Sequence, residues 1–321
     1  MCVMAATAAV LVPVLVREPG TRTGGPDPAG RATASAVDAV ERGRSGPASP
    51  AAAPCTPENA AESLRPSPGA GPAVNRIKAK GQLVVGVDQN TYRWGYRDPG
   101  TNRLEGFDID LARAIARDIL GPSPKVVFLA IPTNQRIPAL QKRKVDMVVR
   151  TTTINCARKK LVAFSTAYFL AGQQVLAPKN SRLAFDDSLK GKKVCTAAGS
   201  TGEAELARRR HGATVVTVPN QLDCLVRLQL GQTDAVVTDN ALAAAQAAQD
   251  PTVELKGSPF TKEPYGVAMN RGDTDLVRRV NKVLDDYRRG GAGSPWMTAY
   301  RTWLKDDLPD ISGPPTPEYS D

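Results

Sequence analysis

Apolar residues recur along this chain with two alternating periods, one typical of strands and one typical of helices. Short β-branched runs at 82–87, 126–130 and 193–197 predict strands. Between the first two runs, apolar positions at 111, 114, 115 and 119 predict an amphipathic helix that begins near Asp108. This alternation of strand and helix is typical of a mostly parallel α/β sheet.

Both ends of the chain lack this pattern. Residues 1–16 form an apolar run of about the length of a signal h-region, without the usual basic residues before it. We interpret it as an export signal or anchor. Residues 17–74 are rich in Pro, Gly, Ala, Ser and Arg and have no sustained apolar period, which predicts a disordered tether. After Asp307 we expect a frayed tail.

Composition limits the possible functions. A chain of 321 residues with 41% hydrophobic content has room for about two domains. The net charge of +10 could indicate a nucleic-acid partner, but the basic residues are scattered and aromatic residues make up only 5%. We therefore expect no nucleic-acid binding. A basic surface that faces an anionic envelope or an acidic ligand explains the charge equally well.

Hydroxyl side chains and two arginines follow a short predicted strand in the middle of the chain. The strand at 145–149 leads into Arg150, Thr151, Thr152 and Thr153, and Arg158 comes five residues later. A guanidinium can bind a carboxylate through two parallel hydrogen bonds, and threonine and carbonyl oxygens can accept from an ammonium group. From these residues alone, a solvated polar loop is an equal alternative.

A continuous order of motifs extends from residue 75 to about 305. It includes Val-Gly-Val-Asp, Glu-Gly-Phe-Asp-Ile-Asp-Leu-Ala, Arg-Ile-Pro-Ala-Leu-Gln, Val-Asp-Met-Val-Val, Thr-Ile-Asn-Cys-Ala-Arg-Lys-Lys, Gly-Ser-Thr-Gly-Glu and Glu-Pro-Tyr-Gly-Val-Ala. In this order the chain resembles the polar amino-acid solute-binding proteins of ABC importers. It most resembles their actinobacterial glutamate/glutamine-binding branch, and the Arg-Ile-Pro stretch resembles glutamate/aspartate-binding proteins.

The resemblance implies a periplasmic-binding-protein-like fold of type II, with two α/β lobes joined by two hinge strands. The ligand would lie in the cleft between the lobes, and closure would be a hinge motion. The implied parts are lobe one at 75–170 plus 263–321, lobe two at 171–262, and hinge crossings at 171–177 and 258–264.

The resemblance also implies ligand contacts from both lobes. Arg158 would bind the α-carboxylate, and Asp239 would bind the ammonium group. Arg136 would bind a side-chain carboxylate, with Arg93 or Arg97 as an alternative. The remaining candidate contacts are Asp88, Trp94, Thr151, Thr153, Ser200 and Thr201.

Two of these candidates also have a purely structural explanation, and two other positions depart from the family pattern. Ser200 and Glu203 fit a capping box, and Asp239 could cap the Ala-rich helix that follows it. Arg150 occupies a position where a small residue is usual. Thr133 occupies a position where many relatives have an aromatic residue.

Five cysteines in an exported chain predict disulfides and one unpaired residue. Cys195 and Cys224 both lie in the implied lobe two and are the expected pair. Cys55 and Cys156 would form the second bridge, although four cysteines allow three connectivities. No close cysteine or histidine spacing exists and His211 is the single histidine, so we expect no metal.

These observations predict an exported, envelope-associated solute-binding protein that works as a monomer without a cofactor. Its expected ligand is an acidic amino acid, glutamate before aspartate, and its expected partner is an ABC permease. Alternatives are a glutamine- or asparagine-binding protein and an amino-acid sensor that signals to a membrane partner. An enzyme is disfavoured, because we find no nucleophile with a base partner and no phosphate loop.

Overall fold

The structure is a computed structural model that describes residues 54–321. The predicted export signal and the predicted tether as far as residue 53 lie outside the described residues. Within residues 54–321, no helix has both the length and the apolar character that a membrane crossing requires.

Strands and helices alternate through the described residues as the sequence predicts. The strands are β1 (Gln82–Val87), β2 (Asn90–Thr91), β3 (Gly95–Arg97), β4 (Leu104–Glu105), β5 (Lys125–Ala130), β6 (Met147–Val148), β7 (Val162–Phe164), β8 (Phe169–Ala171), β9 (Gln173–Pro178), β10 (Lys193–Ala197), β11 (Thr214–Val218), β12 (Ala235–Asp239), β13 (Val253–Lys256), β14 (Glu263–Tyr265) and β15 (Ala268–Asn270). The α-helices are α1 (Pro72–Lys80), α2 (Phe107–Leu120), α3 (Arg136–Gln141), α4 (Cys156–Lys159), α5 (Thr201–Arg208), α6 (Leu222–Gln229), α7 (Asn240–Ala247), α8 (Thr274–Arg288) and α9 (Pro295–Trp303). Short 3-10 helices span Thr133–Gln135, Asp187–Leu189 and Gly291–Gly293.

Each lobe is built on one five-stranded sheet. The strand order is β5-β1-β6-β15-β7 in lobe one and β11-β10-β12-β9-β13 in lobe two. In each sheet one strand, β15 or β9, runs antiparallel to both of its neighbours, and the other four strands share one direction. Ligands of such sheets bind beyond the carboxyl ends of the parallel strands. Those ends therefore locate the candidate site.

A pair of antiparallel strands connects the two lobes. In this pair β8 and β14 align Ala171 with Glu263 and Phe169 with Tyr265. The chain enters lobe two through Gly172, where an added Cβ would lie 2.4 Å from the carbonyl oxygen of Thr261. Only a glycine permits this close approach of the two crossing segments. The lobe boundaries that the resemblance implies, 170/171 and 262/263, stay a prediction.

An aromatic cluster forms the part of the lobe-one core nearest the crossing strands. The rings of Trp94 and Phe169 meet edge to face with centroids 4.8 Å apart, and Phe107 meets Trp296 at 5.6 Å. Such edge-to-face pairs contribute beyond the area that they bury. Gly106 precedes α2 with φ 127°, and an added Cβ would lie 2.4 Å from the Trp94 carbonyl oxygen. The glycine therefore lets the Trp94 loop pack directly on the start of α2.

Residues 54–71 form an ordered segment that we call the N-terminal strap. Ser63 donates its hydroxyl to the Phe164 carbonyl at 2.7 Å and accepts from the Asn281 side chain at 2.9 Å. Cys55 is bonded to Cys156. The tether prediction is therefore wrong for residues 54–71. Backbone hydrogen bonds, one buried amide and a covalent bridge order this segment, and none of them produces an apolar period in the sequence.

The C-terminal tail, residues 308–321, pairs with the N-terminal strap on lobe one. Tyr319 forms a β-bridge with Ser63, and Asp321 makes an ion pair with Arg278 at 2.8 Å. The Tyr300 hydroxyl donates to the Leu308 carbonyl at 2.7 Å. The prediction of a frayed tail is wrong, because the tail is fixed by single polar contacts with residues distant in sequence.

Candidate ligand-binding cleft

A cleft lies at the carboxyl ends of the parallel strands, between the lobes. Side chains from both lobes line it, and nearly all are polar: Asp88, Thr133, Arg136, Arg150, Thr151, Thr153, Arg158, Gln173, Ser200, Thr201, Gly202, Gln221, Thr238, Asp239 and Leu242.

Arg158 is placed by the single turn of α4. The Asn155 side chain caps this turn by accepting from the Arg158 amide at 2.9 Å. The guanidinium donates to the Thr153 carbonyl at 2.8 Å and, across the cleft, to the Gly199 carbonyl at 3.1 Å. Burial lowers the pKa of Arg158 from its usual value. Neutral carbonyl oxygens hold the Arg158 guanidinium, and they do not neutralise its positive charge.

Arg136 begins α3 and points into the same cleft. Its Nε donates to the Thr133 carbonyl at 2.9 Å, and its Nη2 lies 3.5 Å from the Gly199 carbonyl. Burial lowers the pKa of Arg136 well below its usual value, and the nearby positive charges of Arg158 and Arg150 lower it further. Among residues 54–321, no carboxylate lies within 4.0 Å of either Arg136 or Arg158.

Arg150, by contrast, is paired with a carboxylate. Its guanidinium lies 2.9 Å from Asp88 Oδ2, and its Nη1 donates to the Thr133 hydroxyl at 3.0 Å. Asp88 Oδ1 accepts from the backbone amides of the next two residues at 2.8 and 3.0 Å. Oδ2 accepts from the Thr91 hydroxyl at 2.8 Å, and the Arg150 guanidinium lies against it as an ion pair in which Nη2 makes no hydrogen bond. Hydrogen bonds therefore use three acceptor positions of this carboxylate, and Arg150 covers the fourth.

Asp239 ends β12 and faces the cleft from lobe two. It accepts from the Tyr265 hydroxyl at 2.6 Å and from the Gln173 side-chain amide. It makes no side-chain hydrogen bond to α7, so the alternative of a helix cap is wrong. Burial raises the pKa of Asp239 to about 7, and the negative charge of Glu263 contributes to the increase. An ammonium group at this position would favour the ionised carboxylate.

The amino terminus of α5 completes the lobe-two wall. The Ser200 hydroxyl accepts from the Glu203 amide at 3.1 Å, and the Glu203 carboxylate accepts from the Gly199 amide at 2.7 Å. The Thr201 hydroxyl accepts from the Gln173 side chain at 3.0 Å. Ser200 thus caps the helix, as the capping-box interpretation predicted, and also lines the cleft.

The structure brings together eight of the ten ligand candidates named from the sequence. These are Asp88, Arg136, Thr151, Thr153, Arg158, Ser200, Thr201 and Asp239. Trp94 is not among them: it is 1% exposed in the aromatic core, and its Nε1 donates to the Ala241 carbonyl at 3.2 Å. Arg93 makes an ion pair with Asp307 at 2.9 Å, outside the cleft. These two assignments are corrected, because Trp94 is enclosed in the aromatic core and Arg93 is paired with Asp307.

Several cleft residues were not predicted. Arg150 and Thr133 are recognisable in the sequence as departures from the family pattern, and the structure pairs them with each other. Gln173, Gln221 and Thr238 carry no such signal, because each reaches the cleft only through the folding of lobe two.

The structure pairs Cys195 with Cys224 and Cys55 with Cys156. The first bridge is buried in the core of lobe two. The second bridge joins the N-terminal strap to the first residue of α4, two residues before Arg158. Across residues 54–321, no group of three or more metal-ligating side chains is close enough to hold a metal ion.

Two α/β lobes joined by paired strands, with a polar cleft lined from both sides, define a solute-binding protein of the type II periplasmic-binding-protein class. The model of the bacterial extracellular solute-binding proteins, family 3, matches residues 83–305. The chain belongs to this family. The resemblance and the fold class predicted from the sequence are both confirmed.

Characterised relatives agree with this assignment. The chain is 38% identical over 232 residues to the ABC transporter glutamine-binding protein GlnH of Bacillus subtilis, covering 72% of this chain and 84% of the relative. It is 26% identical to the glutamate/aspartate import solute-binding protein of Salmonella typhimurium, covering 76% and 83%. These relatives are binding proteins, so the expectation that the chain is not an enzyme is confirmed.

Solved structures show the same architecture. An arginine-binding protein from T. maritima superposes with a TM-score of 0.67 at 32% identity, covering 73% of this chain and all of that one, 100%. An ancestral arginine-binding protein bound to glutamine gives a TM-score of 0.64 at 38% identity, covering 70% and 98%.

Proposed function

We propose that this protein binds an acidic amino acid, glutamate or aspartate, for delivery to an ABC permease. One observation carries the choice of ligand: Arg136 and Arg158 are both buried in one cleft, and neither has a carboxylate within 4.0 Å among residues 54–321. A buried cation without a counter-ion is costly, and a paired one is much less so. An acidic amino acid brings two carboxylates, one for each arginine.

The cleft offers a partner to each charged group of such a ligand. Arg158 would bind the α-carboxylate, with the hydroxyls of Thr151 and Thr153 beside it. Asp239 would accept from the ammonium group. Arg136 would bind the side-chain carboxylate. Because these residues come from both lobes, the ligand would make its full set of contacts only when the lobes are closed, and it would therefore stabilise the closed state.

Glutamine is the second candidate, and the relatives favour it. The Bacillus subtilis protein and a glutamine-binding protein of Geobacillus stearothermophilus are each 38% identical to this chain. Recognition of the amide requires a free acceptor for its N–H groups. Asp88 is a carboxylate at the cleft wall, but hydrogen bonds use three of its acceptor positions and the Arg150 guanidinium covers the fourth. The buried side-chain oxygen of Gln173 also lines the cleft and has no hydrogen-bond partner among residues 54–321, so it could accept from the amide. We place the acidic ligand first because Arg136 and Arg158 offer it two cations that have no carboxylate within 4.0 Å among these residues.

The permease partner and the location outside the cytoplasm are supported by the family rather than by the cleft. The family is described as extracellular, and the Bacillus subtilis relative is named as part of an ABC transporter. We expect the protein to act as a monomer, because one chain supplies both walls of the cleft.

Calorimetric titration tests the proposal. The purified protein is freed of bound ligand by unfolding and refolding with its disulfides intact, and is titrated with glutamate, aspartate, glutamine, asparagine and arginine. We expect an acidic amino acid to bind most tightly. Arg158→Met should abolish binding of every amino acid, because all of them share the α-carboxylate.

Arg136→Met distinguishes the two candidate ligands. Loss of one charge-assisted hydrogen bond of about 1.5–3 kcal/mol should weaken glutamate binding by roughly tenfold to a hundredfold. The affinity for glutamine should stay nearly unchanged. Arg93→Met, which removes a cation outside the cleft, is the matched control. Tighter binding of the amides, with no effect of Arg136→Met, would instead assign the protein to glutamine or asparagine.

A further inference from the structure

We propose that Arg150 is a specificity-determining residue that prevents Asp88 from accepting a hydrogen bond from a ligand amide. The proposal rests on the proposed function, because it concerns the choice between a carboxylate and an amide in the same cleft. It assigns that choice to a residue pair in the cleft wall, separate from the two arginines that we expect to hold the ligand carboxylates.

Arg150 is a built part of the cleft. It is 3% exposed, and its guanidinium is fixed on one side by Asp88 at 2.9 Å and on the other by the Thr133 hydroxyl at 3.0 Å. Its Nε and Nη2 have no hydrogen-bond partner among residues 54–321. A buried donor without a partner costs free energy, so the wall retains an unused N–H that an acceptor on the ligand could satisfy.

The pairing decides whether this wall donates or accepts hydrogen bonds. With Arg150 in place, its guanidinium lies 2.9 Å from Asp88 Oδ2 and covers the acceptor position that Thr91 leaves open, and the unpartnered hydrogen-bonding groups of the pair are the N–H donors of Arg150. A ligand carboxylate can use donors, whereas the NH₂ group of an amide cannot. Without the Arg150 side chain, one acceptor position of Asp88 Oδ2 becomes free, and the wall can accept from an amide.

Removal of the Arg150 side chain should leave Arg136, one of the two arginines that we expect to hold the ligand, in place. Arg136 Nη1 lies 3.4 Å from the Arg150 carbonyl and 3.4 Å from the Thr151 carbonyl, and its Nε donates to the Thr133 carbonyl. All three acceptors are main-chain atoms, and a substitution at position 150 retains them. The effect on specificity can therefore be attributed to the Arg150 side chain.

Two substitutions at this position separate coverage of Asp88 Oδ2 from the charge. Arg150→Ser removes both the charge and the group that covers Oδ2. Arg150→Gln removes the charge but keeps an NH₂ group that can donate to Asp88 Oδ2. Each variant and the wild-type protein are freed of ligand and titrated with glutamine and with glutamate, and thermal unfolding checks that they are folded. Arg76→Ser, which breaks an ion pair with Asp273 away from the cleft, is the control.

We expect Arg150→Ser to bind glutamine about tenfold more tightly than the wild-type protein, the equivalent of one charge-assisted hydrogen bond. Arg150→Gln should leave glutamine binding unchanged within about threefold. Unchanged glutamine affinity in folded Arg150→Ser, or an equal gain in both variants, would overturn the proposal. If Arg150→Ser does not fold, a gain of glutamine affinity in Arg150→Gln would by itself overturn the proposal.

The result is independent of the ligand preference of the wild-type protein. If that protein prefers glutamine, the proposed function fails. A further tightening in Arg150→Ser would still establish that Arg150 blocks the acceptor.

Discussion

Ligand affinity should fall as the pH is lowered below 7, because Asp239 must be ionised to hold the ammonium group. Burial raises the pKa of this carboxyl to about 7 in the protein alone. Arg136, Arg158, Glu263 and Tyr265 are the charged or titratable groups that act on it. Below pH 7 the carboxyl is protonated, so binding of an ammonium group must release this proton.

The size of the effect follows from the pKa. If the bound ligand holds Asp239 ionised throughout, the dissociation constant increases by a factor of about 1 + 10^(7 − pH). Between pH 7.5 and pH 5.5 this factor changes about 25-fold. Both carboxyl groups of a glutamate ligand remain ionised in this range, since the usual pKa of its side chain is about 4.3. The expected change therefore comes from the protein.

Calorimetry measures both the affinity and the proton. Titrations at pH 7.5, 6.5 and 5.5 give the dissociation constants. Titrations at pH 6 in two buffers of different ionisation enthalpy count the protons released, and we expect about one per ligand. Asp239→Asn should bind weakly with no pH dependence in this range.

Asp108 provides an internal contrast. Burial also raises its pKa to about 7, but Asp108 accepts from the Thr151 amide and the Tyr168 hydroxyl and does not line the cleft. Its folded pKa lies above the unfolded value, so its contribution favours folding at low pH and is lost as the pH rises towards 7. Asp108 should thus affect stability and leave proton release on binding unchanged.

An affinity constant that stays within twofold from pH 7.5 to 5.5, with no proton released, would refute the role of Asp239.

Two further predictions concern stability. The Cys55–Cys156 bridge closes a longer loop than Cys195–Cys224, with sequence separations of 101 and 29. The loop-entropy relation gives upper values of about 4.7 and about 3.6 kcal/mol for the stabilisation by the two bridges. The double substitution Cys55→Ser/Cys156→Ser should therefore lower the free energy of unfolding, measured in urea, by more than Cys195→Ser/Cys224→Ser does. The opposite order would contradict this reasoning. Trp94→Ala should cost about 3–5 kcal/mol of stability and leave ligand affinity within threefold, because Trp94 lies in the core; lost affinity at unchanged stability would return Trp94 to the ligand site.

The sequence predicts this fold well where local patterns determine the structure. The strands β1 and β10 have the bounds that their β-branched runs indicate, and α2 begins one residue before the predicted start near Asp108. Order in the N-terminal strap and the C-terminal tail could not be predicted. It depends on Ser63, Asn281 and Tyr319, which meet only in the folded protein.

The candidate site also contains residues that local sequence patterns predict and residues whose position depends on distant contacts. Asp239 ends a strand, so its position at a sheet edge is readable from the chain, whereas Arg158 is placed by the single turn of α4. Trp94 lies in the loop after β1, and the direction of its side chain depends on contacts with Phe107 and Phe169. Arg150 stands out in the sequence as an unusual residue. Its pairing with Asp88, 62 positions away in the chain, is visible only in the fold.

Few direct hydrogen bonds join the two walls of the cleft, and this has a consequence for closure. Arg158 and Arg136 both donate to the Gly199 carbonyl, at 3.1 and 3.5 Å, and the Thr133 amide donates to the Pro219 carbonyl at 3.2 Å. The Tyr265–Asp239 and Trp94–Ala241 hydrogen bonds also join residues of the two lobes, and five such bonds contribute about 3–7 kcal/mol in total. To change a mostly open population into a mostly closed one, the ligand must bind the closed state more tightly than the open state by about 5.5 kcal/mol. The proposed acidic ligand would supply that difference through two arginine–carboxylate contacts and one ammonium–carboxylate contact, at about 1.5–3 kcal/mol each, whereas a ligand that lacks one of them would fall near or below it. Under this proposal, the number of charged contacts in the cleft couples ligand identity to closure of the lobes.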